Sequence, residues 1–242
     1  MEKILMVNGL NKSYSDFSLK NVNLELLPGD IMGLIGENGA GKTTLMKLLL
    51  NLLTPEKGEI LVFGKNYEGH ESYIKNRLGV VFDENYLHGL LTPKQFNYVM
   101  SSIYEQWNQQ AYYNYLEMFH LPVNTKINQF SKGMKVKLNF SVALSHHPKL
   151  LLLDEATSGL DPIMRIEILD VLNDYVTANN SSVLLSSHIL SDVERIANKL
   201  TFLHKGNVVF SEKISNATQN GSLEDMMRSY IKGENSIERL NN

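Results

Sequence analysis

The spacing of apolar residues in the first part of the chain is that of strands and then that of a helix. In residues 22–26 every second position is apolar, which predicts a strand with one buried face. Residues 31–35 form a short apolar run that ends at a glycine and predicts a buried strand. Apolar residues then cover a broad helical face over residues 43–53, and the segment Thr-Pro-Glu-Lys-Gly at 54–58 ends this predicted helix.

The middle of the chain changes from strand patterns to helical ones. Residues 59–63 and 78–82 predict strands. From residue 84 to residue 147 strand patterns are absent, and helical patterns rich in Tyr, Gln and Asn replace them. Pro93 is suited to open one helix, and Leu121-Pro122 to close another. We therefore predict an inserted helical segment here.

Strands and helices alternate again after this segment. Four leucines at residues 150–153 predict a buried strand, and residues 183–185 predict another. Asp161-Pro162 predicts a helix start, with Asp as N-cap and Pro at the first helical position. Residues 191–199 read as helical, and the polar tail beyond residue 211 has one amphipathic piece at 223–231. This alternation predicts a largely parallel sheet.

Composition narrows the class of protein. The chain has 242 residues, 43% hydrophobic and 20% charged, so it should fold as a globule. A net charge of -3 gives no electrostatic reason to expect nucleic acid as a partner. The lack of cysteine excludes disulfides and thiolate metal sites and fits a reducing cytoplasm. No apolar run approaches the ~20 residues that span a bilayer, so another chain would have to anchor the protein at a membrane.

A glycine-rich loop lies between the predicted strand at 31–35 and the predicted helix at 43–53. Its sequence, Gly-Glu-Asn-Gly-Ala-Gly-Lys-Thr at residues 36–43, is that of a phosphate-binding loop. Backbone N–H groups would face phosphate oxygens, Lys42 would add a positive charge, and the Thr43 hydroxyl could ligate Mg²⁺. The strand–loop–helix setting argues against a chance match. The loop alone leaves GTPases, small-molecule kinases and ATPases open, although no guanine-reading Asn-Lys-x-Asp segment is present.

Two acidic residues follow the four leucines. A strand would place Asp154 at the sheet edge beside a metal, and the adjacent Glu155 is a candidate general base for the attacking water. Taken alone, the pair could simply cap a strand end. The upstream phosphate loop favours the catalytic interpretation.

With these motifs the chain resembles the ATP-binding cassette (ABC) family, specifically the export-type ATPase subunits of bacterial transporters. The resemblance covers about residues 4–204. The family signature, usually Leu-Ser-Gly-Gly-Gln, corresponds to Phe-Ser-Lys-Gly-Met at residues 130–134, which keeps Ser131 and Gly133. Residues 158–161 match the D-loop and His188 the switch histidine.

Three other positions are interpreted through the resemblance. Tyr14 falls where the family stacks an aromatic ring on adenine, although an ordinary half-buried aromatic is the alternative. Asp83 stands where the family has a glutamine that contacts Mg²⁺ and water. Aspartate could still coordinate the metal, or it could be a simple loop acid. Lys132 could add positive charge near an interface with a second subunit, but a solvated surface lysine is the favoured interpretation.

The resemblance implies an α/β fold: a P-loop NTPase core with a mostly parallel sheet, an antiparallel β subdomain and an inserted α-helical subdomain. The expected division of this single ABC ATPase domain is residues 1–83 and 148–210 for the core with its β subdomain, 84–147 for the helical signature subdomain, and 211–242 for the tail. Apolar residues of the helical subdomain would form a groove for a membrane subunit; the candidates are Leu87, Leu90, Leu91, Phe96 and Tyr98.

The implied function is ATP hydrolysis with Mg²⁺ that powers a separate integral membrane permease, on the cytoplasmic face of the membrane and without nucleic acid. ATP would lie between two ATPase subunits, identical or related, arranged head to tail. The expected catalytic residues are Glu155, His188 and Lys42; the nucleotide-binding residues are Tyr14, Gly36, Asn38, Gly39, Ala40, Gly41, Lys42, Thr43, Thr44, Ser131 and Gly133; and the metal ligands are Thr43, Asp83 and Asp154. A soluble non-transport cassette and a binding-only cassette remain the alternatives.

Overall fold

A computed structural model of the chain describes residues 2–83, 87–217 and 222–230. Some of the predicted organisation lies outside the described residues. This applies to the start of the helical segment at residue 84 and to residues 218–221 and 231–242 of the tail, which include Ile231 at the end of the amphipathic piece.

The strands form two sheets. One has three antiparallel strands in the order β2-β1-β4, and the other has six strands in the order β5-β6-β7-β3-β8-β9. The bounds are β1 (Leu5–Ser13), β2 (Ser18–Leu26), β3 (Ile31–Ile35), β4 (Lys57–Val62), β5 (Leu78–Phe82), β6 (Leu150–Asp154), β7 (Ser182–Ser186), β8 (Lys199–His204) and β9 (Asn207–Lys213). All pairs in the larger sheet are parallel except β8 with β9. The mostly parallel sheet and the separate antiparallel sheet are therefore both confirmed.

The helices of the described residues are mostly short. They are α1 (Lys42–Leu49), α2 (Glu71–Lys75), α3 (Pro93–Ile103), α4 (Gln109–Met118), α5 (Lys132–Leu144), α6 (Pro162–Asn179), α7 (Leu190–Ile196) and α8 (Ile214–Ala217), with a 3-10 turn at Ile127–Gln129 and a helix at residues 223–230. Between β5 and β6 only helical elements occur among the described residues, as the sequence predicts. None of the described helices combines the length and hydrophobicity needed to cross a bilayer.

Two predicted helix starts follow directly from capping chemistry. Thr92 accepts a hydrogen bond from the Gln95 N–H, and the Gln95 side chain accepts one from the Thr92 N–H, which forms a capping box in front of Pro93. Asp161 accepts from two N–H groups in front of Pro162. Both helices begin at the proline that the sequence indicates.

Two predicted helices end earlier than expected. The helix predicted to residue 53 stops at Leu49, and Asn51 takes a positive φ of 56°. The helix predicted to residue 199 stops at Ile196, because Asn198 bonds strand β3 instead. The Asn198 N–H donates to the Ile31 carbonyl at 2.9 Å, and its side-chain oxygen accepts from the Ile31 N–H at 3.0 Å. Strands β8 and β9 follow, and β9 crosses the predicted tail boundary at residue 210.

The six-stranded sheet separates two hydrophobic cores. Strand β6 is buried along its whole length, and its leucines alternate between these cores. Leu151 and Leu153 pack on the side of the inserted helices, whereas Leu150 and Leu152 pack on the side of α1 and the antiparallel sheet. This explains why the strand requires four consecutive leucines rather than an alternating pattern.

A buried histidine near the end of α5 makes stability depend on pH. His146 lies 3.1 Å through Nε2 from the Leu78 carbonyl and stacks on Tyr104, and burial lowers its pKa from 6.5 to about 4. Between these two values the unfolded chain binds the proton and the folded chain does not, so stability falls as the pH drops from 6.5 toward 4. The loss expected at pH 4 is up to about 3 kcal/mol.

A His146→Phe variant should lose this pH dependence, since phenylalanine retains the stacking surface but has no titratable group. Urea unfolding of the parent and the variant between pH 4 and 7 measures the effect. His120→Asn, at an exposed histidine with positive φ, is the matched control and should keep the slope of the parent. An unchanged slope in His146→Phe would contradict the assignment.

Candidate active site

The glycine-rich loop connects the buried end of β3 to the first turn of α1. Gly41 has a φ of +108°, and a Cβ at this position would lie 2.5 Å from the Phe17 ring, so the turn requires glycine. Lys42 is the first residue of α1, and its Nζ donates to the Gly36 carbonyl at 2.7 Å and to the Glu37 carbonyl at 3.3 Å. The lysine is thus buried across its own loop, at the N-terminus of a helix.

A cavity of about 480 Å³ opens above this loop. It brings together most of the residues predicted for nucleotide binding and catalysis. Its lining consists of Phe17, Glu37, Asn38, Gly39, Gly41, Lys42, Thr43, Thr44, Asp83, Glu155, Ser158 and His188. A neighbouring cavity of about 580 Å³ shares Thr43, Asp83 and Glu155 with it and adds Asp154. The loop, the acidic strand end and the histidine therefore meet at one edge of the sheet.

The two acidic residues at the end of β6 are anchored by the next strand. The Ser186 hydroxyl donates to Asp154 Oδ1 at 2.6 Å and accepts from the Glu155 N–H at 3.1 Å. Glu155 has a φ of +51°, in the left-handed region that few non-glycine residues adopt. Such a conformation persists where neighbouring contacts hold it.

Glu155 contacts both other residues predicted to be catalytic. Its Oε2 lies 2.6 Å from His188 Nδ1, and its Oε1 lies 3.7 Å from Lys42 Nζ. An ionised carboxylate can only accept hydrogen bonds, so Nδ1 carries the hydrogen of the histidine contact. The carboxylate is thereby held between a histidine and a lysine at the cavity wall.

Asp83 and Lys132 form an ion pair that the sequence did not predict. Lys132 Nζ lies 3.6 Å from Asp83 Oδ1, and both side chains are about half exposed. The lysine crosses Gly159, where a Cβ would lie 2.5 Å from Nζ. The Asp83 N–H donates to the Asp154 carbonyl at 2.9 Å. Lys132 is thus a partner of Asp83 at the rim of the site rather than a purely solvated lysine.

Five predicted nucleotide-binding residues do not line the cavity of this chain: Gly36 and Ala40 of the loop itself, and Tyr14, Ser131 and Gly133. Ser131 is the exposed N-cap of α5 and accepts from the Met134 N–H, and Gly133 packs against Met164. Tyr14 is exposed, whereas Phe17 of the same turn lines the cavity. In the sequence, Phe17 could have been found as a second aromatic residue three positions after Tyr14. In the structure, the Tyr14 N–H donates to the Phe17 carbonyl.

The oxygen atoms near Thr43 suit a metal that is completed by phosphate. Thr43, Asp83 and Asp154 supply hydroxyl and carboxylate oxygens, which Mg²⁺ prefers. Within the described part of the chain, no group of three His, Cys, Asp or Glu side chains forms a metal cluster. These residues fit Mg²⁺ bound through one or two protein oxygens together with substrate phosphates.

Comparison with known proteins agrees with this geometry. The family model described as "ABC transporter" matches residues 19–158. The chain is 34% identical over 212 residues to a bacitracin transport ATP-binding protein of Bacillus licheniformis, covering 86% of this chain and 69% of that protein. It is 31% identical over 239 residues to a lantibiotic transport ATP-binding protein of Streptococcus pyogenes, covering 94% of this chain and 97% of that protein.

A solved structure of the ATP binding subunit of an ABC transporter superposes with a TM-score of 0.85 at 26% identity, covering 93% of this chain and 98% of that one. A phosphate loop, an acidic strand end and a mostly parallel sheet define a P-loop NTPase. The chain belongs to the ABC transporter family. It is an ATP-binding ATPase subunit, as the sequence predicts.

Proposed function

We propose that residues 36–44 bind the phosphates of ATP and that Glu155 acts as the general base for hydrolysis. The observation that carries this proposal is the contact of Glu155 with both Lys42 and His188 at one cavity wall. Loop N–H groups and the N-terminus of α1 meet the phosphate charge, and Lys42 exchanges its carbonyl partners for phosphate oxygens. Glu155 takes a proton from water while His188 holds the carboxylate in place.

The remaining nucleotide contacts follow from the cavity walls. Phe17 lines the cavity and is proposed, with Tyr14, as the aromatic surface for adenine. Thr43 and Asp154 are proposed to hold Mg²⁺. Asp83 lines the same cavity, but its carboxylate is paired with Lys132. When bound with ATP, Mg²⁺ neutralises phosphate charge. The carboxylate of Asp154 is already oriented by the Ser186 hydroxyl.

A second subunit is proposed to complete the site. Ser131 and Gly133 belong to the expected phosphate contacts but do not line the cavity of their own chain. Ser131 caps the N-terminus of a 13-residue helix, α5, which favours an anion. A head-to-tail pair of identical or related subunits would bring this helix end to the nucleotide of the neighbour.

Ser131→Ala should reduce ATP turnover by about tenfold or more, because it removes a phosphate contact from the proposed neighbour. It should also cost about 1 kcal/mol of stability through loss of the N-cap. Thr92→Ala is the matched control, since Thr92 caps α3 of the same helical segment in the same way. Steady-state hydrolysis and urea unfolding separate the two effects. Equal turnover in the two variants would contradict a role for Ser131 at the nucleotide.

The chain is further proposed to power a membrane permease of the export type from the cytoplasmic face of the membrane. The names of its relatives, which describe bacitracin and lantibiotic transport, support this class. A groove of about 310 Å³ between the core and the inserted helices offers an apolar docking face that includes the exposed Leu52 and Ile103. None of Leu87, Leu90, Leu91, Phe96 and Tyr98, the candidates from the sequence, lines this groove.

A pull-down from detergent-solubilised membranes tests this partner. The tagged chain should retain a multi-helix integral membrane protein, and Leu52→Arg should release it, because a charge would have to be desolvated in the groove. Met118→Arg is the control, at an exposed apolar residue of α4 outside the groove. Retention that is equal in all three proteins would refute docking at this groove, and no membrane protein at all would favour a non-transport cassette.

A further inference from the structure

A buried hydrogen bond joins the loop that carries Glu155 to helix α7, which follows the loop that carries His188. Thr157 Oγ1 donates to Asp192 Oδ2 at 2.8 Å. Thr157 is 2% exposed and Asp192 3% exposed, and neither lines the nucleotide cavity. Thr157 follows Glu155 by two residues, and Asp192 lies in α7, four residues after His188.

The carboxylate of Asp192 has a charged partner as well. Arg165, in the first turn of α6, places Nε 3.4 Å from Asp192 Oδ1. A carboxylate this deeply buried needs an opposite charge and hydrogen bonds to compensate for its lost hydration. The Thr157 hydroxyl and the Arg165 guanidinium supply both, so three segments of chain meet at one side chain.

This network and Ser186 hold the loop of Glu155 at different positions along the chain. The Ser186 hydroxyl ties the start of the first loop to the end of β7. The Thr157–Asp192 bond ties the continuation of the first loop to α7, which follows the second loop. Glu155, which makes the 2.6 Å contact and has a left-handed backbone, is therefore flanked along the chain by two anchored residues, Asp154 and Thr157.

We propose that Thr157, Asp192 and Arg165 form a positioning triad that keeps Glu155 and His188 in contact without touching the nucleotide. The inference rests on the proposed function, because it assumes that Glu155 is the base. None of the three residues lines the nucleotide cavity, and the hydrogen bonds of Lys42 go to carbonyls of its own loop. Loss of the triad should therefore lower kcat and leave the KM for ATP nearly unchanged.

The experiment compares two buried threonines in the full-length chain. Thr157→Val removes the hydroxyl with little change in shape. We expect kcat to fall about tenfold, which is part of the rate gain that a positioned general base provides, and KM to change less than about twofold. Thr157→Ser restores the hydroxyl and should return kcat to within about twofold of the parent. Thr201→Val, at a buried threonine of β8 whose hydroxyl bonds Ser211, is the matched control and should retain the parent kcat.

Two results would overturn the triad. One is an equal kcat for Thr157→Val and Thr201→Val, and the other is a loss of ATP affinity as large as the loss of kcat. If Thr157→Val does not fold, Thr157→Ala against Thr201→Ala repeats the comparison with smaller side chains. Turnover that depends on Glu155 but not on Thr157 refutes only the triad, whereas turnover that does not depend on Glu155 refutes the proposed function itself.

Discussion

Glu155→Gln should bind ATP as tightly as the parent and hydrolyse it at least about a hundredfold more slowly, since a positioned general base contributes about 10²–10⁴ in rate. Glutamine keeps the size of the side chain but cannot take the proton of water. The contact with His188 can persist through the amide oxygen, so the cavity should keep its shape. Hydrolysis under single-turnover conditions, together with a nucleotide titration, measures the two quantities separately.

The chain offers a matched control for this variant. Glu167 of α6 pairs with the buried Lys137 at 2.7 Å, just as Glu155 faces Lys42, but neither residue lines the nucleotide cavity. Glu167→Gln should therefore leave turnover close to that of the parent. Parent-like hydrolysis by Glu155→Gln would remove this residue from the role of base.

Lys42→Ala should weaken ATP binding by about ten- to a hundredfold, because hydrogen bonds to charged groups contribute about 1.5–3 kcal/mol each. The Lys42 side chain is 6% exposed and already directed across the loop, so little further ordering is needed to meet phosphate. A calorimetric or fluorescent-nucleotide titration of the purified chain gives the affinity directly.

Lys137→Ala separates this effect from the general cost of losing a buried lysine. Lys137 is 9% exposed and ion-paired, and it lies in α5 outside the cavity. Its removal should lower stability but preserve ATP affinity. If Lys42→Ala and Lys137→Ala bind ATP equally well, the phosphate loop does not use Lys42.

Local sequence predicts those parts of the molecule whose conformation is decided locally. The leucines of β6 can only be buried on both faces, and Asp161-Pro162 can cap and open a helix without help from distant residues. The phosphate loop is of the same kind, since Gly41 must adopt a backbone conformation that other residues avoid. For these elements the predicted and observed positions agree within a few residues.

The elements that the sequence missed depend on contacts between distant segments. Helix α7 stops because Asn198 meets Ile31, 167 residues away, and Asp192 meets Thr157 across 35 residues. Phe17 lines the cavity because its ring lies against Gly41, a contact between segments that are 24 residues apart. Periodicity and motifs carry no information about such pairings, so the supporting contacts of the site appear only in the fold.

The pairing of Lys132 with Asp83 has an electrostatic consequence. Lys132 belongs to helix α5 of the inserted segment, whereas Asp83 directly follows strand β5 at the rim of the nucleotide cavity. If the two side chains were separated, Asp83 would lose this positive partner at the rim of the proposed phosphate site. The electrostatic potential at the cavity rim therefore depends on the distance between these two side chains, which lie at the two positions where the sequence departs from the usual glutamine and from the usual signature.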